Sequence, residues 1–518
     1  MSTQHDLEFL RTISELTYCN PFLPERLVLE RRALGETYVA EGKQAWSREL
    51  GLGNDDRPNV QQITQRATQL FEQLLEHPPA ELQETLLLDL QTYVLYYRYF
   101  MQHQLVSASP ELLDREMLSQ LWQRFWNDYQ KGIKTLCRTN PSITKAAHLF
   151  ACLFQVRRAF YHIYDCILGD SRAIIQLRAM VWQSVFTHNM RRYQETLFHR
   201  LNEIPTLITG PSGTGKDLVA RSIGMSQFIP FDHRSRTFVT KGELFIPLNL
   251  SALSPTLIES ELFGHKKGSF TGATSDNAGY LELCSPHGVV FLDEIGELEQ
   301  TIQVKLLRVL QNRTWARLGE TTPRSFQGKI IAATNRNLQN EIEQGHFRLD
   351  LFYRLCADRI VTPSLADQLA DSPDALQSLI GLLALRIAGD AAAEVAQETM
   401  QWIEQKLPRQ YSWPGNVREL EQCVRNILIR SEYQPSIVQS KENLNACDQW
   451  LEQIRARQLT IEELHRSYAT WVYAEVNSYE GTAQQLGIDR RTVKSWLDQE
   501  FLSRLMDHAG TEAYSENY

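Results

Sequence analysis

Lys216 follows Gly210, Gly213 and Gly215 in the segment TLITGPSGTGKD, and a short apolar run, TLIT, comes directly before them. Strand, glycine loop and then the helix-like DLVARSI is the order in which successive backbone N–H groups curl around phosphate oxygens. The lysine reaches the terminal phosphates, and the helix N-terminus adds a favourable dipole for the anion. The loop proper is Gly210, Pro211, Ser212, Gly213, Thr214, Gly215 and Lys216. The next position is Asp217, where the general pattern has a Ser or Thr hydroxyl for magnesium. Magnesium must then rely on carboxylates or water.

A second group of candidates closes the apolar run GVVFLDEIGEL, where Asp293 and Glu294 are adjacent. Acids at a strand tip suit a magnesium ligand, Asp293, and a base for an attacking water, Glu294. Asn335 ends a third run, KIIAATN. If the strands are neighbours, its amide stands beside both sites, where it could sense a terminal phosphate or orient water.

These residues require a parallel sheet wound with helices, and the texture of the chain supplies one. From about residue 167 to 362, short β-branched runs alternate with helical stretches. Residues 1–165, rich in Leu, Gln, Glu and aromatics at spacings of three and four, read as an all-helical N-terminal regulatory domain. Its run Tyr93, Tyr96, Tyr97, Tyr99 and Phe100 reads as helix core rather than as a ligand pocket. Helical texture returns over 363–435 as a lid. A polar linker follows at 436–455, and a small helical domain at 456–505 ends before a tail expected to fray.

The 518 residues are enough for about three domains. With 53 Lys and Arg against 62 Asp and Glu, the net charge is −9, so any nucleic-acid contact needs a local basic face. The eight cysteines are scattered without a C-x-x-C pair, which argues against a zinc site or a disulfide framework and for reduced thiols. No leader and no apolar run of membrane-spanning length is visible, so no membrane partner and a cytoplasmic location are expected.

The segment ESELFGHKKGSFTGATSDNAGYLELCSPHGVVFLDEIGEL closely resembles the central AAA+ domain of bacterial sigma-54 activators. The likeness continues through QVKLLRVLQ, FRLDLFYRL and WPGNVRELE, and covers roughly 167–430. In that family an acid often follows the loop lysine, so Asp217 fits. The resemblance implies a mobile loop, Gly268, Ser269, Phe270, Thr271, Gly272 and Ala273, whose Phe270 and Thr271 form an exposed tip against sigma-54. It makes Asn249, in IPLNLSAL, a switch restraining Glu294. Arg348 and Arg354 become arginines that reach a neighbour's γ-phosphate, which requires a ring, expected as a hexamer. Arg418 becomes the lid arginine that reads bound nucleotide.

Departures from the family pattern are also visible. Ser269 replaces Ala, Lys266 and Lys267 follow FGH where an acid is usual, and TPSLADQ replaces PPLRER. Extra residues occur in VFTHNMRRYQETLFHR and FIPFDHRSRTFVTKGE.

Near the end, EGTAQQLGIDRRTVKSWL carries Ala483, Gly487 and Val493 at helix-turn-helix offsets: a small residue at the crossing, a turn glycine and an apolar anchor. It looks like the Fis-type domain common in these activators. Arg490, Arg491, Thr492, Lys494 and Ser495 would face a major groove, in a dimer on paired half-sites.

The chain is therefore expected to be an ATPase that uses ATP and Mg2+, binds enhancer DNA, assembles with itself and remodels sigma-54 RNA polymerase. The alternative is a DNA-binding regulator for which nucleotide is only an allosteric ligand. A remodelling ATPase outside transcription fits the GSFTGA loop and the helix-turn-helix less well. Residues 1–165 carry no strand-led acidic pocket of a phosphorelay receiver and are expected to bind an unidentified ligand or protein.

Overall fold

The run TLIT is apolar because it lies in the middle of a sheet, with neighbours on both edges and helices on both faces. In the computed structural model, which describes residues 4–40, 57–78, 83–101, 113–372, 374–408, 411–435 and 450–505 apart from 452, 455, 456, 458, 500, 503 and 504, it forms β1 (Thr206–Thr209). The other sheet strands are β2 (Glu243–Asn249), β3 (Cys284–Asp293), β4 (Lys329–Thr334) and β5 (Asp358–Val361). Their order is β2-β3-β4-β1-β5, and every pair is parallel. Parallel pairing brings the C-terminal ends of all five strands to one edge.

Contacts divide the chain once, into Met1–Tyr433 and Gln434–Tyr518. Among the described residues the first unit begins with seven α-helices: α1 (Gln4–Tyr18), α2 (Glu25–Leu34), α3 (Pro58–Glu76), α4 (Glu84–Tyr99), α5 (Arg115–Gly132), α6 (Ile143–Cys166) and α7 (Arg172–Phe186). Asp114, Ser142 and Ser171 cap α5, α6 and α7 by accepting backbone N–H groups, which satisfies donors that a helix start leaves open. The helical part runs past residue 165 to Phe186, and strand structure begins only at Thr206. Within the first unit, no contact boundary separates helices from sheet.

The reason lies in the two segments that depart from the family pattern. FIPFDHRSRTFVTKGE contains an antiparallel pair, Phe231–Asp232 with Thr237–Phe238. Phe231 stands 5.1 Å from Trp122 and 4.6 Å from Phe150, and Phe238 stacks 4.1 Å from Phe154. These rings belong to the aromatic core of α5 and α6, where each pair adds to plain area burial. In VFTHNMRRYQETLFHR, Arg191 makes two hydrogen bonds to Asp89 of α4, at 2.9 and 2.5 Å. Asp89 is almost wholly buried and also accepts from Ser14 and Tyr18.

After the sheet, α13 (Leu365–Asp371), α14 (Ala375–Ala388), α15 (Ala392–Lys406) and α16 (Asn416–Arg430) form the lid. Between β1 and the lid the sheet is covered by α8 (Lys216–Gly224), α9 (Pro255–Phe263), α10 (Gln300–Asn312), α11 (Leu338–Glu343) and α12 (Leu349–Leu355). The departure TPSLADQ makes the capping box of α13, with Ser364 and Asp367 satisfying each other's backbone N–H. The lid has its own core around Leu379, Leu383, Leu420 and Val424.

The second unit holds α17 (Ile461–Val476), α18 (Tyr479–Leu486) and α19 (Arg490–Trp496). The expected linker 436–455 falls almost entirely outside the described residues, as do Cys447 and the tail. The seven cysteines that are described are unpaired. No helix among the described residues is long and apolar enough to cross a membrane.

Arg191→Ala removes the guanidinium from a buried carboxylate and lowers unfolding free energy by about 1.5–3 kcal/mol. Exposed Arg192→Ala stays within about 0.5 kcal/mol of the parent chain. Denaturant unfolding of both variants is the measurement, and equal effects would contradict the role of Arg191.

Candidate functional site

The loop between β1 and α8 needs glycine for two different reasons. A side chain at Gly210 (φ +153°) would place a Cβ 2.1 Å from Thr362 Oγ1, and one at Gly213 (φ +77°) would meet the Gly415 carbonyl at 2.2 Å. The first contact comes from the end of β5 and the second from the lid, so the loop is pinned from both sides. Thr214 Oγ1 and Thr362 Oγ1 lie 2.7 Å apart. Lys216 opens α8, and its ammonium donates to the carbonyls of Gly210 and Pro211 at 3.0 and 3.1 Å. Burial lowers its pKa, against the opposing pull of Glu294 and Asp293. Asp217 is exposed one step farther along the helix.

Asp293 ends β3, level with Asn249 of β2. Its pKa is raised, first by burial and then by the neighbouring Glu294. Glu294 is a non-glycine residue in the left-handed region (φ +56°, ψ +52°), a conformation that costs about 1–3 kcal/mol and concentrates at functional turns. Its carboxylate accepts the backbone N–H of Asn335 at 3.3 Å. The tips of β3 and β4 are therefore joined by a hydrogen bond at the catalytic candidate, with the Asn335 side chain exposed beside it.

Asn249 takes a different partner from the expected one. Its Oδ1 accepts from the Ser251 backbone at 3.0 Å and from the Ser251 hydroxyl at 2.8 Å, as a short cap on the turn after β2. Asn249 thus sits one strand from the acids, and no hydrogen bond joins it to Glu294 among the described residues.

The lid closes the other side. Arg418 donates to the Ser212 hydroxyl at 3.3 Å, and its backbone N–H meets the Gly213 carbonyl. Asn416 was not singled out by sequence, yet it does more: its Nδ2 donates to the Ser212 carbonyl at 2.9 Å and its Oδ1 accepts the Leu365 N–H at 2.8 Å. It ties the phosphate loop to two lid helices from a left-handed backbone (φ +55°). The signal was present in WPGN, a turn-forming string immediately before a helix.

Arg348, the N-cap of α12, and Arg354, in its last turn, are both exposed. Arg348 makes a two-pronged bond to Asp350 at 3.0 and 2.8 Å. Among the described residues, neither arginine has a hydrogen bond or ion pair to the phosphate loop of its own chain.

The segment Gly268–Ala273 is a tight turn, with the Gly268 N–H on the Ala273 carbonyl and the Ala273 N–H on the Phe270 carbonyl, at 2.9 and 3.0 Å. Thr271 and Gly272 are exposed, whereas Phe270 is half-buried with its ring edge-on to His265 at 5.0 Å. The expected exposed phenylalanine tip is therefore a threonine-glycine tip with the phenylalanine folded beneath it, because the imidazole offers an apolar face. The Lys266 ammonium binds Asp276 at 2.8 Å, and Asp276 also accepts the Lys267 N–H. These lysines close the neck of the turn.

In the second unit, Gly487 (φ +68°) ends α18 and the Val493 side chain is fully buried. The close crossing lies at Gly481, where a Cβ would meet Val476 at 2.6 Å; Ala483 is half-buried. Arg490, Arg491, Lys494 and Ser495 are exposed on α19, and Thr492 is half-buried. Asp489 caps the helix through the Arg491 N–H.

Residues 183–361 match the family described as the Sigma-54 interaction domain. The Nif-specific regulatory protein of Azotobacter vinelandii is 42% identical over 226 residues, 44% of this chain and 40% of that protein. The DNA-binding transcriptional regulator NtrC of Azospirillum brasilense is 40% identical over 225 residues, 43% of each. The chain thus spans less than half the length of either relative. The solved structure of NtrX from Brucella abortus in complex with ATP aligns with a TM-score of 0.37 and 23% identity, over 74% of this chain and 86% of that one, a likeness that carries no part of the assignment. Residues 183–361 of the chain are thus those of a Sigma-54 interaction domain.

Proposed function

We propose that the chain is an ATP-hydrolysing transcription activator that binds enhancer DNA and remodels sigma-54 RNA polymerase to open promoters. The observation that supports it most is the sigma-54 interaction domain at 183–361, which contains the phosphate loop, Asp293 and Glu294 on one sheet edge. In this reading the backbone N–H groups of 210–216 and Lys216 bind the phosphates of ATP, and Arg418 follows them from the lid. No cluster of three or more His, Cys, Asp or Glu side chains suited to a metal occurs among the described residues. Magnesium would therefore be held by Asp293 together with phosphate oxygens and water, as small hard cations commonly are. Bound there, it neutralises charge that builds up on the transferred phosphoryl group.

Glu294 orients and deprotonates the attacking water, and its bond to the Asn335 backbone holds it at the strand tip. Arg348 and Arg354 reach the γ-phosphate of a neighbouring subunit, so hydrolysis requires a ring, proposed as a hexamer. Arg348 must leave Asp350 to do so. The Gly268–Ala273 turn transmits the cycle to sigma-54, with Phe270 swinging out from His265. Asn249 acts as a switch only in a state in which its amide leaves Ser251. The exposed basic face of α19 reads DNA through Arg490, Arg491, Lys494 and Ser495, with Thr492 at its margin.

Four variants test this reading. Glu294→Gln lowers ATP turnover by about 10²–10⁴-fold while nucleotide binding persists; unchanged turnover would remove Glu294 from the chemistry. Phe270→Ala keeps ATP turnover but loses open-complex formation on a sigma-54 promoter, and intact opening would exclude the turn as the remodelling element. Arg491→Ala weakens enhancer binding by about 1–3 kcal/mol, and Lys494→Ala reduces the salt slope of binding by about 1; footprints identical to the parent chain would refute the DNA-reading helix.

A further inference from the structure

The two segments that depart from the family pattern converge at the end of the sheet opposite the phosphate loop. A cleft of about 410 Å³ opens there, within the volume range of small-molecule sites. Phe198 and His199 reach it from VFTHNMRRYQETLFHR, and Phe228 reaches it from FIPFDHRSRTFVTKGE. The rest of the wall is the entry to the parallel strands, with Glu203 before β1, His287 in β3 and Gln327 before β4.

Its floor is aromatic. Phe228 and Phe326 are buried, and Phe198 packs 4.8 Å from Phe228. Its charged groups are already engaged. The Arg313 guanidinium lies 5.5 Å over the Phe326 ring and donates to the Asn202 and Gly328 carbonyls. Exposed Glu203 pairs with Arg200 at 3.6 Å and also attracts Arg313.

The groups left open are neutral. Neither the His287 ring nor the Gln327 amide makes a hydrogen bond among the described residues. Each lies two residues before a paired position, Val289 with Lys329, so they stand side by side at the strand entries. Burial lowers the His287 pKa, which keeps the ring uncharged at neutral pH with one donor and one acceptor nitrogen. Gln327 adds a donor and an acceptor in one plane. Two imidazoles and a carboxylate share the cleft, yet no cluster of three such groups suited to a metal occurs among the described residues.

Phenyl rings below and neutral donors and acceptors at the rim suit a flat molecule with a nitrogen-bearing edge. Its face lies on the rings, and its edge exchanges hydrogen bonds with the amide as a nucleobase edge does. A carboxylate on the same ring would shed its water with no free cation to meet it.

We propose that this cleft binds an uncharged planar heteroaromatic molecule of about purine size. The site stands apart from the ATPase reading, since no residue of the phosphate loop or of the Asp293-Glu294 tip lines it. The probes are quinoline-3-carboxamide and quinoline-3-carboxylate, titrated calorimetrically into the full chain with and without ADP. One carboxamide binds per chain in either case and raises the midpoint of thermal unfolding, as a ligand of the folded state must. The carboxylate binds about tenfold or more weakly. Gln327→Leu keeps the bulk but removes the amide, and weakens carboxamide binding about three- to tenfold. Ser325→Trp, at the exposed rim, fills the mouth and abolishes binding. Circular dichroism and thermal melting report that each variant is folded.

Absence of carboxamide binding, or binding that survives in folded Ser325→Trp, overturns the site. A carboxylate that binds as well as the amide overturns the uncharged-ligand assignment, and Gln327→Leu binding like the parent chain overturns the amide contact. Competition by ADP moves the ligand to the phosphate loop and overturns the cleft. A chain that binds the carboxamide but never hydrolyses ATP keeps the site and sinks the ATPase reading instead.

Discussion

The chemistry of this chain depends on β1 being hydrogen-bonded in parallel on both sides. Thr209 pairs with Thr334 of β4 and with Val361 of β5, and β4 in turn pairs with β3. With all strands running the same way, the phosphate loop, the Asp293-Glu294 tip, Asn335 and the Thr362 turn leave the sheet at one edge. An antiparallel neighbour would send one of those turns to the opposite end. The helices on either face hold the pairing in place, because parallel strands need both faces covered. The cost of the left-handed Glu294 is tolerable at such an edge, since Leu292, two residues before it, and Ile295, directly after it, are fully buried.

A second constraint is the seam between the N-terminal helices and the sheet. It is built largely from residues that look like insertions when the chain is set beside its family pattern. Phe231 and Phe238 enter the aromatic core of α5 and α6, and Arg191 fixes α4 through Asp89. Gln155 and His148 of α6 meet Tyr193 and the Gln194 carbonyl. These segments thus join the N-terminal helices to the sheet within one contact unit, Met1–Tyr433.

Where a residue's role follows from local chain direction, the sequence was informative. Strand-loop-helix order around Lys216, the apolar run ending at Asp293 and the Gly487 turn could all be read from spacing. Roles set by a distant neighbour were not. Asn416 lies two residues before Arg418 in sequence, but its importance comes from Ser212 and Leu365, each far away along the chain. Asn249 found a nearer hydroxyl at Ser251, and Phe270 found His265. The tyrosines of α4 have ordinary helical spacing, and only the packing of α1, α2, α6 and α7 decides which of them are buried and which half-buried. TPSLADQ read as a departure from pattern, and became a capping box for α13.

The central claim is that the sheet edge of one subunit is completed by arginines of the next. The most direct measurement mixes Lys216→Ala chains, proposed to lose phosphate binding, with Arg354→Ala chains, proposed to lose the group that completes a neighbour's site. The account predicts that each is silent alone and that turnover returns in the mixture, wherever an intact loop meets an intact arginine. A mixture that stays silent, or Arg354→Ala chains that turn over ATP unaided, would contradict it.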